Sequence, residues 1–284
     1  MLNAALLILA ILAATLVVAN ILGARRWSRV TTTLRQQIDA ARITRPARQV
    51  DFRELADLPA PVQRYFRTAL VDGQPIVGAA RFQHSGSFNM GEATDRWASF
   101  TSDQLITTHR PGLDWNGRIR MAPGLSVRVH DAYVAGEGIL HAAVLGLVSV
   151  ADMRGTPELA AGELMRFLAE ATWYPTALLP SEGVSWAPVD AHSAKATLQD
   201  GANTVTLRFV FDDAGLIGSV HATSRGRTVG GTTVPTPWQG RFWNYTERNG
   251  MRIPQDGEVA WLLPTGLKPY WRGQLTSISH DFLR

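Results

Sequence analysis

Thr204-Val-Thr-Leu-Arg-Phe-Val-Phe211 places Val205, Leu207, Phe209 and Phe211 on one side and Thr204, Thr206 and Arg208 on the other. A two-residue period belongs to a strand with one buried face. Asp200-Gly201 precedes the stretch and Asp212-Asp-Ala-Gly215 follows it. Such residues supply the positive φ angles of tight hairpin turns. Strands joined so closely run antiparallel. The same period begins near Ala79. Val127, Val129, Asp131 and Tyr133 share one face, and Arg128, His130 and Ala132 share the other. With Asn249-Gly250 as a further turn, the chain predicts ten or eleven strands. The expected class is mainly β (α+β): a large antiparallel sheet or half-barrel with one inserted helix.

That helix is announced by Thr156-Pro157-Glu158, a hydroxyl cap, a first-turn proline and an acid at the positive end of the dipole. It is expected to run to about Thr172. Ala160, Leu164, Phe167, Leu168 and Ala171 form its apolar face, while Glu163, Arg166 and Glu170 form a charged one. A charged helix face defaults to solvent, which predicts a solvated salt-bridge ladder. Turned inward, the same three residues would be a buried charge cluster and a candidate polar site. Leu164, Phe167 and Leu168 are expected against the concave side of the sheet, with Trp173 and Tyr174 closing the mouth of any cavity. A shorter helix is predicted from Pro61 to Leu70, with Val62, Tyr65, Phe66 and Ala69 inward.

The amino-terminal end reads differently. Leu2 to Gly23 carries no charged side chain. As a helix it would span roughly 33 Å, enough for a bilayer core. Arg25, Arg26 and Arg29 follow, with Trp27 among them, a composition that suits lipid headgroups. Nothing basic precedes the run within this sequence, so an uncleaved anchor is favoured over a signal peptide. The expected organisation is an anchor at 1–23, a basic segment at 24–50 and one β-rich domain at 51–284. Within the basic segment Val30, Leu34, Ile38 and Ala41 fall on one helical stripe, and Pro46 ends it. The expected location is a single-pass protein of the bacterial inner membrane, and the arginine bias favours a cytoplasmic body.

Residues 24–50 hold seven of the 28 basic residues and one of the 24 acidic ones. The rest of the chain therefore has 21 basic and 23 acidic residues, so the net charge of +4 is juxtamembrane. That distribution excludes nucleic acid as the expected partner and points to membrane lipid. The chain has no cysteine, hence no thiolate metal site.

Motifs for phosphate loops, nucleophile elbows and zinc helices are absent. The seven histidines never pair at metal-ligand spacing. No catalytic residue, cofactor or metal is assigned. His130 and Asp131 are neighbours on a strand and face opposite ways, so they form no relay. Aromatic content is the better clue. Pro237-Trp-Gln-Gly-Arg-Phe-Trp243 and Lys268-Pro-Tyr-Trp-Arg272 pair indoles with cations and prolines. Trp238, Trp243 and Trp271, together with Phe167, Leu168, Trp173 and Tyr174, are the candidate lining of an apolar ligand site.

Several blocks resemble a known family. They are Pro61-Val-Gln-Arg-Tyr-Phe-Arg-Thr-Ala-Leu70, Phe88-Asn-Met-Gly-Glu92, Arg110-Pro-Gly-Leu-Asp-Trp115, His130-Asp-Ala-Tyr-Val-Ala-Gly136, the run from Gly162 to Pro175 and Pro235-Thr-Pro-Trp-Gln-Gly-Arg-Phe-Trp243. They are similar to a bacterial family of uncharacterised membrane-associated proteins over residues 58–284. The resemblance implies one bacterial β-rich domain and brings no known activity. Strands interrupted by one helix also resemble the half-barrel of the lipoprotein carriers LolA and LolB, which implies an apolar ligand between sheet and helix. Three functions follow as expectations. The first is a membrane-tethered binding protein for a lipid or other apolar ligand. The second is a structural protein with an envelope protein partner. The third is an enzyme with its polar site on the 156–172 helix.

Overall fold

The computed structural model describes residues 2–283. The body is one sheet of thirteen antiparallel strands crossed by a helix. Strands β1 (Val77–Asn89), β2 (Trp97–Thr107), β3 (Gly112–Ala122), β4 (Leu125–Val134), β5 (Glu137–Val144) and β6 (Val148–Arg154) form a first meander. Helix α3 (Pro157–Glu170) then carries the chain across to the far edge, after α1 (Leu2–Ala40) and α2 (Ala60–Ala69) have preceded the strands. A second meander returns through β7 (Ser185–Asp190), β8 (Ser193–Asp200), β9 (Asn203–Phe211), β10 (Ile217–Val229), β11 (Thr232–Arg248), β12 (Met251–Leu263) and β13 (Gly266–Phe282). The order is β6-β5-β4-β3-β2-β1-β13-β12-β11-β10-β9-β8-β7. First and last strands therefore pair at the centre, with Phe82 opposite Ile278.

Thirteen strands exceed the expected ten or eleven. Edge strands β6 and β7 leave most side chains exposed, so they offer little alternation to read. β7 also carries Pro188, which suits an edge because it cannot donate to a further strand.

The sheet curls until its two wings meet. Asn203 Nδ2 donates to Gly136 O at 2.8 Å, joining the β8–β9 and β4–β5 turns, and Arg110 of the β2–β3 turn lies 3.5 Å from Asp200 at the end of β8. α3 fills the trough, resting on β4 and β5 of one wing and β9 and β10 of the other. Its start is capped as expected, with Leu159 N–H donating to Thr156 Oγ1 at 3.2 Å. Leu164, Phe167 and Leu168 are buried on the concave side. Fully burying each contributes about 1.5–3 kcal/mol. α2 lies against β8 and β12 with Val62, Tyr65, Phe66 and Ala69 buried.

α1 runs unbroken through residue 23, where the sequence reading divides anchor from basic segment. Its apolar first half stands free of the body and exposes Leu6 to Leu9 and beyond. It is a helix long and apolar enough to cross a membrane. The second half packs on the convex side over β2, β3 and β4. Here Trp27 departs from the expected headgroup position. It is buried, stacks on His130 at 4.6 Å, and donates from Nε1 to Asn116 Oδ1 at 2.8 Å. Arg35 likewise turns to protein: its Nε reaches Asp114 Oδ2 at 2.6 Å and its Nη1 reaches Asp103. A buried acid is tolerated only when paired, and Asp114 also meets His130 Nδ1 at 2.7 Å.

Candidate functional site

The trough beside the carboxyl half of α3 holds a cavity of about 110 Å³. Its wall is aromatic: Phe88, Trp115, Trp173, Trp238, Phe242, Tyr270 and Trp271. Three of these indoles share a local rule. Trp115-Asn-Gly117, Trp238-Gln-Gly240 and Trp271-Arg-Gly273 each place glycine two residues on, hence on the same face of the strand. A Cβ at Gly117 or Gly273 would sit 2.3 Å from that indole, and one at Gly240 would sit 3.1 Å away. Glycine gives the ring a flat place to lie along the sheet. Trp238 Nε1 donates to Tyr270 Oη at 2.8 Å, and Trp173 Nε1 to Pro254 O at 3.0 Å. Both polar tips are thus satisfied while the ring faces stay apolar.

Charge gathers at the α3 side of this wall. Arg166 donates to Glu170 Oε1 at 2.7 Å and to Asp131 Oδ2 at 2.8 Å. Gln104 donates to the other oxygen of Glu170. Arg225, from β10, donates to Glu163 Oε1 at 3.2 Å. The two guanidinium groups lie 5.4 Å over Trp115 and 5.2 Å over Trp238. Each cation therefore bridges an acid and an aromatic face.

The expected solvated ladder is not what forms. Glu163 is 2% exposed, and the side chains of Arg166 and Glu170 are 13% and 15% exposed. The sheet curls far enough to cover the charged face of α3 as well as the apolar one. Burial, then the charge of Asp131, pushes the Glu163 carboxyl up to about 8. Burial opposes the Arg166 charge, but Glu170, Asp131 and Glu163 outweigh it and keep it protonated. Burial thus favours the neutral form of Glu163, while Arg166 and Arg225 are held in their charged forms by the acids around them.

The predicted lining divides. Trp173, Trp238, Trp271, Arg166 and Glu170 border the cavity. Phe167, Leu168 and Tyr174 do not; they are core, with Tyr174 Oη donating to Phe167 O at 2.6 Å. Tyr174 is packed against Phe82 and closes no mouth. Trp243 neighbours inward-facing Phe242 and so points outward, 40% exposed. Glu163 lies beside the cavity, over Arg225, and borders a smaller cleft. Sequence reading missed Phe88, Trp115, Asp131, Arg225, Phe242 and Tyr270 as wall residues. The Trp-x-Gly spacing was the available signal for the indoles: it selects Trp115, Trp238 and Trp271 and passes over Trp243. His130 and Asp131 do face opposite ways, toward α1 and α3 respectively. Among the described residues no cluster of three metal-ligating side chains occurs.

Phe88 is the last residue but one of β1 and pairs with Ala98 and Trp271. The cavity therefore lies toward the end of the sheet that carries the β1–β2 turn. Alternate turns of a meander share an end, so the β3–β4 and β5–β6 turns belong there too. Those two turns touch α1 between Leu16 and Arg26.

Fold and site together define a curled antiparallel half-barrel with an aromatic cavity beside its crossing helix. The chain belongs to the family of unknown function DUF6920, whose model matches residues 56–280. Among solved structures it is similar to a LolA superfamily protein from Nitrosomonas europaea. That match is 8% identical with a TM-score of 0.41, and covers 79% of this chain and 94% of the other. It is also similar to a domain from Vibrio parahaemolyticus described as an outer membrane lipoprotein-sorting protein. Here identity is 10%, the TM-score 0.40, and coverage 72% and 86%. No curated protein matches.

Proposed function

We propose that this protein is a membrane-tethered binding protein that holds a lipid or other apolar ligand. The carrying observation is the aromatic cavity in the trough beside α3, in a body whose first helix is long and apolar enough to cross a membrane. The indole tips of Trp173 and Trp238 are taken up by protein acceptors, which leaves ring faces as the main recognition surface, with the buried Nε1 of Trp115 as an unpartnered donor in the wall. At about 110 Å³ the cavity is small. Typical ligand sites are about 300–1,000 Å³, so it takes one chain end or one ring and leaves the rest of the ligand at the rim. On this reading α1 is the tether, and it keeps the cavity beside the bilayer from which such a ligand comes.

The test is native mass spectrometry of the full chain purified from its host in mild detergent, followed by extraction of bound lipid. The wild type should carry a reproducible apolar mass. Val259→Trp should lose it, because Val259 lines the cavity and an indole there would fill it. An empty, well-folded wild type would overturn the proposal. So would a ligand retained unchanged by Val259→Trp.

A further inference from the structure

Two neighbouring turns at the α1 end of the body are apolar. The β3–β4 turn reads Met121-Ala-Pro-Gly-Leu125, and the β5–β6 turn reads Val144-Leu-Gly-Leu-Val148 and continues to Val150. Neither holds a charged side chain. Met121, Leu125, Val148 and Val150 are 45%, 37%, 64% and 59% exposed. Both turns are fastened to α1. Asn20 Nδ2 donates to Gly124 O at 2.9 Å, and Arg26 Nη1 donates to Leu147 O at 3.1 Å. Gly23 lies so close to the β5–β6 turn that a Cβ there would meet Leu145 O at 1.9 Å. Helix and turns therefore hold one fixed relative height.

That height can be worked out. Gly124 is level with Leu16 and Asn20, whereas the first arginine of the helix is Arg25. Five to nine residues of helix separate the two levels, or roughly 8–14 Å at about 1.5 Å per residue. A helix buried in a bilayer to its arginines carries the β3–β4 tip about that far past the arginine level, while the β5–β6 turn, fastened at Gly23 and Arg26, lies at that level among the headgroups. Between the Asn20–Gly124 and Trp27–Asn116 contacts of α1 with β3 and its turn lie the exposed Arg118 and Arg120 on the strand and Arg25 and Arg26 on the helix. An apolar tip backed by cations is the profile of a membrane-interface anchor, whose apolar face sits about 5–10 Å into the headgroup–acyl boundary.

We propose that the β3–β4 and β5–β6 turns insert into the surface of an anionic bilayer beside α1. The insertion fixes the orientation of the body relative to the lipid. This rests on the reading of α1 as the tether. Continuity with the apolar helix favours lipid over a protein as the occupant.

Because the chain lacks cysteine, single-cysteine variants can carry an environment-sensitive fluorophore without background labelling. Met121→Cys, Val148→Cys, Leu9→Cys and the distant exposed Val189→Cys are made in the full chain. Each is labelled and reconstituted in vesicles of phosphatidylethanolamine and phosphatidylglycerol. Lipids spin-labelled high on the acyl chain should quench the fluorophore at 121 and 148 several-fold more than at 189, with a blue-shifted emission. Quenching at 121 and 148 equal to that at 189 overturns the proposal and leaves the patch to a protein partner. Leu9 reports the tether separately. If it is quenched while the tips are not, only the insertion fails. If it stays unquenched, the tether reading fails, whereas quenched tips would still support lipid contact by the turns.

Discussion

Glu163→Gln should make the protein more stable, and increasingly so as pH rises. Glu163 is 2% exposed, its Oε2 has no hydrogen-bond partner, and Arg166 stands 3.9 Å away. Its carboxyl is held up at about 8 against an ordinary value of 4.5, by burial first and Asp131 second. Below about pH 4.5 folded and unfolded chains are both protonated there, and the group contributes nothing to the pH dependence. Between about 4.5 and 8 the unfolded chain ionises while the folded one stays protonated, so the wild type loses stability as pH rises. Above about 8 the loss is complete. Its ceiling is roughly 4–5 kcal/mol, from about 1.4 kcal/mol for each tenfold displacement.

Glutamine keeps the shape and the acceptor for Arg225 but does not titrate. The melting temperature of Glu163→Gln minus that of the wild type should therefore grow from about pH 5 to 8 and then level. At about 2–4 °C per kcal/mol for a domain of this size, the change is on the order of 10 °C. Paired melts of the full chain in one detergent, read by tryptophan fluorescence, measure it. Other titrating groups largely cancel in the difference. A difference that stayed constant with pH, or shrank, would refute a neutral buried Glu163.

Three further outcomes are expected. Phe167→Ala should cost about 3–5 kcal/mol in chemical denaturation, because Phe167 is core and not cavity wall; a cost under about 1 kcal/mol would mean the ring is not enclosed as described. His84 sits buried with both ring nitrogens unpartnered, and burial, with Arg166 second, holds its pKa down to about 3. Its neutral form contributes stability above about pH 6.5 that is lost as pH falls toward 3, so His84→Phe should flatten the acid limb of a stability titration, and an unchanged limb would contradict its burial. Alkaline phosphatase fused after residue 284 should be inactive if Arg25, Arg26 and Arg29 hold the body in the cytoplasm, whereas strong activity would place the body outside.

The strands were legible because most have one wet and one dry face, as Val205, Leu207 and Phe209 show against Thr204, Thr206 and Arg208. α3 was legible from its cap and its apolar stripe. Its charged face was not, because solvent is only the default for such a face. Whether a sheet curls far enough to cover both sides of a crossing helix depends on contacts between distant strands, here Asn203 with Gly136. Arg225, the partner of Glu163, is likewise 62 residues away. The nine tryptophans looked alike by count. What separates cavity wall from surface is parity along the strand and a glycine two residues on, as at Trp115, Trp238 and Trp271. Trp27 misled for a related reason. An indole among arginines after an apolar run reads as a headgroup anchor, yet the helix continues onto the sheet and buries it.

The pair His130-Asp131 shows what the opposite faces of a strand accomplish in this fold. Neither side chain is part of a relay, and each secures a different helix. His130 reaches Thr31 and stacks under Trp27, and Asp114 ties it to Arg35, so α1 is fastened from below. Asp131 pairs with Arg166 and fastens α3 from above. Strands β3 and β4 are thus covered on both sides, with helix contacts from α1 on the convex face and α3 on the concave one. One strand pair carries the helix whose apolar half stands free of the body and the helix that borders the cavity. A peptide unit is nearly incompressible at this packing density, so the two helices hold a fixed mutual orientation across a single sheet layer. With α1 as the proposed tether, the position of the cavity relative to the bilayer is set by side chains of adjacent residues, not by a linker. That is why the basic stretch after the apolar run is better read as a docking helix than as a flexible tail.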